Sequence, residues 1–200
     1  WSVEIDGVSA SSWVDEAVRT LAASSRVTLL PRTQAFGYFA QNFVALAERL
    51  TDHLGNPDPA APRERLWQVR AKEVVLATGA IERPIVFPDN DRPGIMLADA
   101  ARTYVNRYGV RPGLRAVVIA ACDSGYAAAL DLHRAGTAVA MVVDPRANGD
   151  SGLAGAVRTA GIEIQIGATV TATRGSQRVS AVQIGRAGAE GRASTGQWVP

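Results

Sequence analysis

The sequence Val-Val-Leu-Ala-Thr-Gly-Ala at residues 74 to 80 predicts a buried strand that breaks into a tight turn. Val74, Val75 and Leu76 form a continuous apolar run, which is typical of a strand covered on both faces. The small residues that follow would let a nucleotide approach the backbone at the carboxyl end of the strand. An ordinary strand-to-loop turn has the same pattern, so this short run is a weak indication by itself.

A polar, proline-rich connection follows at residues 81 to 94 and suits neither a helix nor a central strand. It contains Ile-Glu-Arg-Pro at 81 to 84 and Asp-Asn-Asp-Arg-Pro-Gly at 89 to 94. Its charged residues Glu82, Arg83, Asp91 and Arg92 allow two interpretations. An arginine could lie near a diphosphate, or the charges could form a salt-bridged linker between two domains. The linker is slightly favoured, since no acid–base pair is spaced for catalysis.

Together with Asn-Arg-Tyr-Gly at residues 106 to 109, these motifs resemble the alpha subunit of heterotetrameric sarcosine oxidase and related amine-oxidising flavoproteins. The resemblance runs from about Leu29 to about Ile184 and covers part of a much longer subunit, so we expect a fragment. It implies a complex that oxidatively demethylates sarcosine to glycine together with other sarcosine oxidase-type subunits. It also implies FAD and covalent FMN in the full complex, and NAD bound noncovalently by the alpha subunit.

The candidate cofactor-binding residues are Thr33, Ala77, Thr78, Gly79, Ala80 and Arg83. We expect them to form one wall of an NAD site in the first module, with FAD as the alternative. No catalytic residue is assigned, and no Cys/His spacing predicts a metal site. The chain alone is therefore not expected to be active. Two alternatives stay open: an FAD/NAD(P)H-dependent oxidoreductase of the same two-module fold, and a non-catalytic assembly subunit.

The flanking sequence before residue 74 predicts the second half of a dinucleotide-binding module. A helix is expected from Ser11 or Ser12 to Ala23, and a short strand from Arg26 to Leu30. The pattern from Gln34 to Leu50 is ambiguous, and the resemblance decides for strands of a β-meander that turn near Gln41 and Asn42. The glycine-rich first half of such a module is absent from this sequence, so the first module is expected to be incomplete.

A second unit of the βαβ type is predicted after Pro112-Gly113, where we place a domain boundary. Its expected elements are a strand at 116–121, a helix at 124–135, a strand at 138–143, a helix at 151–160 and three short strands ending at 184. The prediction is an α/β chain of two Rossmann-like, FAD/NAD(P)-binding modules, each with a β-meander. We assign residues 1–110 to the first module and its linker, 111–190 to the second, and 191–200 to a return segment or tail.

The nucleotide turn of the second unit, residues 120 to 125, is degenerate. Of three fingerprint glycines only Gly125 remains, whereas Cys122 and Asp123 put a side chain and a negative charge where phosphate would lie. Asp144 could be a ribose ligand, but a surface turn is the preferred interpretation. Cys122 could be a redox thiol, but a structural role is preferred. We therefore expect no dinucleotide in the second module.

Composition limits the remaining classes of function. The net charge of +2 and the absence of a basic face argue against nucleic acid. No apolar run reaches the roughly 20 residues that span a bilayer, so no membrane partner is expected. The single cysteine excludes an intrachain disulfide. A cytoplasmic location is the expectation.

Overall fold

A computed structural model of the chain describes residues 4–149, 152–186, 188 and 196–200. The chain divides into two units, Trp1–Gly79 and Ala80–Pro200. The boundary expected near Pro112-Gly113 stays a prediction. The parts of our predictions that concern residues 1–3, Ser151 and 191–195 lie outside the described residues.

The first unit contains two small antiparallel sheets and one helix. Its elements are β1 (Glu4–Ile5), β2 (Val8–Ser9), α1 (Ala10–Ala22), β3 (Thr33–Phe39), β4 (Phe43–Arg49) and β5 (Glu64–Arg70). The helix was predicted to be capped by Ser11 or Ser12, which is wrong by two or three residues. Ser9 is the N-cap, because its hydroxyl accepts a hydrogen bond from the Ser12 backbone N–H at 3.2 Å.

The predicted β-meander of the first unit is confirmed as an antiparallel sheet in the order β3-β4-β5. Gln41 and Asn42 form its first turn with φ values of 59° and 53°. The Asn42 side chain accepts a hydrogen bond from the Tyr38 hydroxyl and donates one to the Lys72 carbonyl, each at 2.8 Å. Among the described residues up to 79, Ala45 alone is buried.

The two strands predicted beside this meander are not formed. Residues 26–30 and 74–79 have no ladder partner among the described residues, and Val75 and Leu76 are 88% and 69% exposed. An apolar run forms a strand only when neighbouring strands take up its backbone hydrogen bonds and other elements cover its faces. No described residue pairs with this run, and only Val74 is partly covered.

The second unit is a βαβ structure followed by an antiparallel meander, as predicted. The first of the three short strands expected before residue 184 joins the parallel sheet, however, and residues 197–199 supply the third strand of the meander. Its elements are α2 (Ala98–Tyr108), β6 (Arg115–Ile119), α3 (Asp123–Arg134), β7 (Ala138–Asp144), α4 (Gly152–Thr159), β8 (Glu163–Ile166), β9 (Ala168–Arg174), β10 (Ala181–Arg186) and β11 (Gln197–Val199). Strands β6, β7 and β8 form a parallel sheet in that order, and β9, β10 and β11 form an antiparallel one.

Strand β7 is the centre of the second unit because both of its faces are covered. Val142 packs in one apolar cluster with residues of α3 and α4, and Met141 and Val143 pack in a second cluster with residues of β9 and β10. This burial explains the almost unbroken apolar sequence of β7. The carboxyl ends of β6 and β7 consequently lie at one edge of a rigid sheet.

Candidate functional site

The predicted cofactor-binding turn, residues 77 to 80, is exposed throughout. Gly79 has φ +74°, a left-handed conformation that favours glycine. A Cβ atom added there would meet nothing within 4 Å. The turn therefore needs glycine for its backbone conformation and leaves open space beside it.

The remaining two predicted cofactor-binding residues lie elsewhere. Thr33 is the first residue of β3, and its hydroxyl donates a hydrogen bond to the Pro31 carbonyl at 3.1 Å. Arg83 lies in the connection between the turn and α2 and is exposed. The cofactor role of Thr33, Arg83 and the turn stays a prediction.

Glu82, one of the charged residues of the connection, caps a helix. Its carboxylate accepts hydrogen bonds from the backbone N–H groups of Ala98 at 3.2 Å and Asp99 at 2.7 Å. Leu97, the N-cap of α2, supplies no side-chain acceptor, so Glu82, which lies 16 positions before Ala98, does so instead. A negative charge at this end also complements the helix dipole.

Arg92 fixes the other end of the connection to the meander of the second unit. Its guanidinium donates to the Thr173 hydroxyl at 3.2 Å and to the Gly175 carbonyl, and it forms an ion pair with Asp89 at 3.1 Å. The Val179 N–H donates to the Pro93 carbonyl at 2.8 Å nearby. Arg92 therefore forms a local ion pair and joins the connection to the meander of the second unit, whereas Glu82 is a helix cap. A salt-bridged linker between two domains stays a prediction.

Helix α2 is held against α3 by a polar cluster. The Arg102 guanidinium donates to the Asp131 carboxylate at 2.8 Å, and the Asn106 side chain donates to the same carboxylate oxygen at 2.9 Å. Ala101 lies in the apolar cluster of the second unit. The connection, α2 and the second sheet consequently form one body.

The degenerate turn of the second unit keeps one glycine for packing, as predicted. A Cβ atom at Gly125 would lie 2.6 Å from the Ala120 Cβ, so any larger residue would push α3 away from β6. Cys122 precedes the helix without a side-chain capping bond, and its thiol lies 3.1 Å from the Ser124 hydroxyl. Nothing in these contacts requires a redox role for Cys122.

Asp144, the last residue of β7, corrects the preferred prediction of a surface turn, because its exposed fraction is 0%. Its carboxylate accepts hydrogen bonds from the Tyr126 hydroxyl at 2.7 Å and from Nη2 of Arg146 at 2.8 Å. Burial acts to raise the pKa of Asp144, but the hydrogen bonds from Arg146 and Tyr126 outweigh it and hold the pKa below its ordinary value. Burial and the bond to Asp144 raise the pKa of Tyr126 to about 12.

Arg146 and Tyr126 were missed by sequence reasoning. The Arg146 guanidinium also reaches Asp123, with Nη1 at 3.1 Å from its carboxylate, so one side chain links the end of β7 to the first residue of α3. One sequence signal could have indicated this bridge. An arginine follows the acidic strand end by two residues, and the preceding turn also contains an acidic residue.

Across the described residues, no group of three or more His, Cys, Asp or Glu side chains is placed to hold a metal ion. No helix in this part of the chain is long and apolar enough to cross a membrane. An open, mainly apolar groove of about 740 Å³ runs beside α2, between residues 80–82 and Tyr104, Tyr108 and Val110.

Comparison with known sequences identifies the relatives of this chain. It is 45% identical over 188 residues to the sarcosine oxidase subunit alpha of Corynebacterium sp. (strain P-1), and 38% identical over 184 residues to that of Rhizobium meliloti (strain 1021). Each alignment covers 92% of the chain. The chain is a relative of the sarcosine oxidase alpha subunits. It spans 19% and 18% of the length of these two relatives, and no family model matches it.

Solved structures confirm the fold predicted for this relative of the alpha subunits. The L-proline dehydrogenase of P. horikoshii matches 98% of the chain with a TM-score of 0.51 and 19% identity, covering 32% of that protein. The NAD-dependent persulfide reductase of A. fulgidus matches 89% with a TM-score of 0.52 and 18% identity, again covering 32%. At identities this low the match shows only the fold. That fold is the predicted α/β architecture with Rossmann-like modules.

Proposed function

We propose that this chain is the part of a sarcosine oxidase-like alpha subunit that supplies scaffold structure and one wall of a dinucleotide site. The observation that carries the proposal is the 45% identity over 188 residues to a sarcosine oxidase alpha subunit. The full complex would oxidatively demethylate sarcosine to glycine, with FAD and FMN as its flavins. The chain itself would contribute no catalytic residue.

The proposed ligand of the first module is NAD, with FAD as the alternative. Three features support the turn at 77 to 80 as its wall: small side chains, a left-handed glycine and open space around that glycine. Arg83 lies four residues beyond Gly79, where a cation would favour a diphosphate. Thr33 is the proposed contact from the meander.

The proposal is tested by releasing the dinucleotides from the purified full-length subunit under denaturing conditions and identifying them. We expect stoichiometric NAD in the subunit, and sarcosine-dependent oxygen consumption once it is assembled with its partner subunits. A subunit that releases FAD alone would favour the alternative cofactor. A subunit that releases no dinucleotide would contradict the cofactor role and leave a scaffold only.

A second candidate is an FAD/NAD(P)H-dependent oxidoreductase with one dinucleotide in each module. The observation that favours it is the fold, which the chain has in common with the dehydrogenase and reductase described above. The second nucleotide turn argues against it, because Ala120 and Cys122 replace two fingerprint glycines and Asp123 adds a negative charge where phosphate would lie. NADH oxidation by the purified subunit, without partner subunits or amine, would distinguish this candidate from the first.

The proposed partners are the other subunits of a sarcosine oxidase-type complex, and the proposed location is the cytoplasm. A non-catalytic assembly role is the third possibility, and it makes a separate prediction. Removal of this subunit would then prevent assembly of the complex, and the purified subunit would release no dinucleotide.

A further inference from the structure

The crevice at the carboxyl edge of the second parallel sheet is crossed by a protein side chain. In doubly wound folds a dinucleotide lies outside the carboxyl ends of the strands, with its diphosphate against the first helix and its ribose against an acidic residue after the second strand. In this unit the corresponding positions are Asp123, at the start of α3, and Asp144, at the end of β7. Arg146 joins them.

The Arg146 side chain contacts both acidic residues with separate nitrogen atoms. Its Nε and Nη2 lie 3.1 and 2.8 Å from Oδ2 of Asp144, and its Nη1 lies 3.1 Å from Oδ1 of Asp123. The backbone N–H of Arg146 also donates to Oδ1 of Asp144 at 2.9 Å. All donors of this bridge come from the chain itself, and the bridge spans the path that a dinucleotide would follow.

The acidic residue at the ribose position has no free acceptor facing solvent. Asp144 is fully buried, and both of its oxygens accept hydrogen bonds from Arg146 or Tyr126. The loop after β7 covers it from the solvent side, since a Cβ atom at Gly149 would lie 2.7 Å from Oδ2 of Asp144. Two carboxylates and one guanidinium leave this crevice with a net charge of −1, which opposes a phosphate.

We propose that Arg146 is an internal replacement for the dinucleotide: its ion bridge closes the crevice of the second unit and fixes the end of β7 to the start of α3. A bound nucleotide makes the same connection in a working module, through the diphosphate at the helix and the ribose at the strand end. The bridge keeps this unit rigid without a ligand. It also leaves the module unable to accept NADH or NADPH.

The first test measures the thermal unfolding of the 200-residue chain for four variants. Arg146→Met should lower the unfolding temperature by about 6–12 °C, because it leaves a buried carboxylate unpaired. Arg146→Lys keeps the charge but cannot contact both carboxylates at once. It should lower the unfolding temperature by about half as much as Arg146→Met. Asp123→Asn removes the charge of the exposed carboxylate that pairs with Arg146. It should lower the unfolding temperature by about 2 °C or less.

The matched control is Arg134→Met, which removes an arginine of α3 whose ion pair with Asp131 is exposed and 3.5 Å long. It should shift the unfolding temperature by no more than about 2 °C. An Arg146→Met chain that unfolds within that same range would overturn the proposal. If Arg146→Met does not fold, the comparison of Arg146→Lys with Arg134→Met decides in its place.

The second test uses the unmodified chain and separates closure of the crevice from simple stabilisation. Amide hydrogen exchange is followed at residues 119–126 and 140–149 with and without NADH or NADPH at about 1 mM, which saturates any site of micromolar affinity. We expect unchanged protection in both segments. Added protection there with either nucleotide would show an open site and overturn the proposal, whereas protection confined to the first unit would leave it intact.

Discussion

Residues 74–76 and strand β7 have nearly the same apolar character and opposite surroundings. In β7, Val142 is fully buried and its strand has a parallel partner on each side. In the run at 74–76, Val75 is 88% exposed and no described residue pairs with it. The difference shows that hydrophobicity identifies a segment able to form a central strand, while neighbouring elements decide whether it does.

The same contrast applies to the turns at the ends of these segments. After β6, Gly125 lies within the packing of α3 against the strand. After the run at 74–76, Gly79 has open space around it. One glycine is therefore required by packing, and the other by backbone conformation and, as we propose, by a ligand.

The largest expected effect compares an identical substitution in the two apolar segments. Val142→Asp should lower the free energy of unfolding of the second unit by more than about 4 kcal/mol, because it buries an unpaired charge. Val75→Asp in the same chain should change stability by no more than about 0.5 kcal/mol. Hydrogen exchange of the amides of β7 measures the first effect, and that of the amides of β4 in the first unit measures the second. Similar losses for the two variants would contradict the difference in burial.

The next effect concerns the carboxylate at the end of β7. Asp144→Asn should cost about 3 kcal/mol near neutral pH, because Arg146 then loses its buried partner. The pKa of Asp144 in the folded chain lies below its ordinary value of 3.8. Its ionised form therefore stabilises the fold above that pH, and this contribution is lost as the pH falls through the lower folded pKa.

Acid unfolding of the two chains checks this dependence. As the pH falls from about 4 to about 2, the unmodified chain should lose stability relative to Asp144→Asn. The difference between their free energies of unfolding should therefore narrow. Asp91→Asn, at an exposed position of the connection, is the control and should follow the unmodified chain. A difference that stays constant over this range would mean that Asp144 is not the group that titrates.

A smaller effect separates the two roles of the turn glycines. Gly79→Val in the full-length subunit should weaken NAD binding at least tenfold, about 1.4 kcal/mol, because its side chain would enter the space beside the turn. The second unit should stay folded. Gly79→Ala tests the conformational role, since alanine adds the strain of a positive φ with little bulk. If both variants retain stoichiometric NAD, residues 77–80 are not the cofactor wall.

The smallest effect concerns the helix that follows the connection. Glu82→Ala should destabilise α2 by about 1 kcal/mol, because two N–H groups at its start lose their acceptor. Glu73→Ala, at an exposed position before the turn, is the matched control. Hydrogen exchange in the first turn of α2 measures the loss. Equal protection from exchange in the two variants would show that water accepts the hydrogen bonds of the first turn as well as Glu82 does.

Local signals in the sequence predicted most of the second unit, whereas the resemblance was needed to predict the meander of the first. Gly109, with φ +63°, ends α2 as its position after Tyr108 indicates, and Gln41 and Asn42 turn the chain between two strands. Such features depend on nearby residues alone. The strands expected at 26–30 and 74–76 failed because a strand depends on partners distant in sequence.

The site was predicted less completely, for the same physical reason. Asp144 was considered as a ribose ligand but assigned to a surface turn, because its burial depends on Tyr126, Arg146 and Gly149. Glu82 was recognised as a notable charge, but a cap that acts from 16 residues away has no local sequence pattern. Side chains that act across such separations become visible only in three dimensions.

The hydrogen bonds from Arg92 to the second meander have a consequence for folding during synthesis. Its partners Thr173 and Gly175 lie 81 and 83 residues further along the chain. During synthesis the connection around Arg92 therefore leaves the ribosome long before anything exists to hold it, and it becomes fixed only when β9 has emerged and folded. Until then its open polypeptide is accessible to proteases and chaperones, so completion of the meander is the event that protects this stretch in the newly made protein.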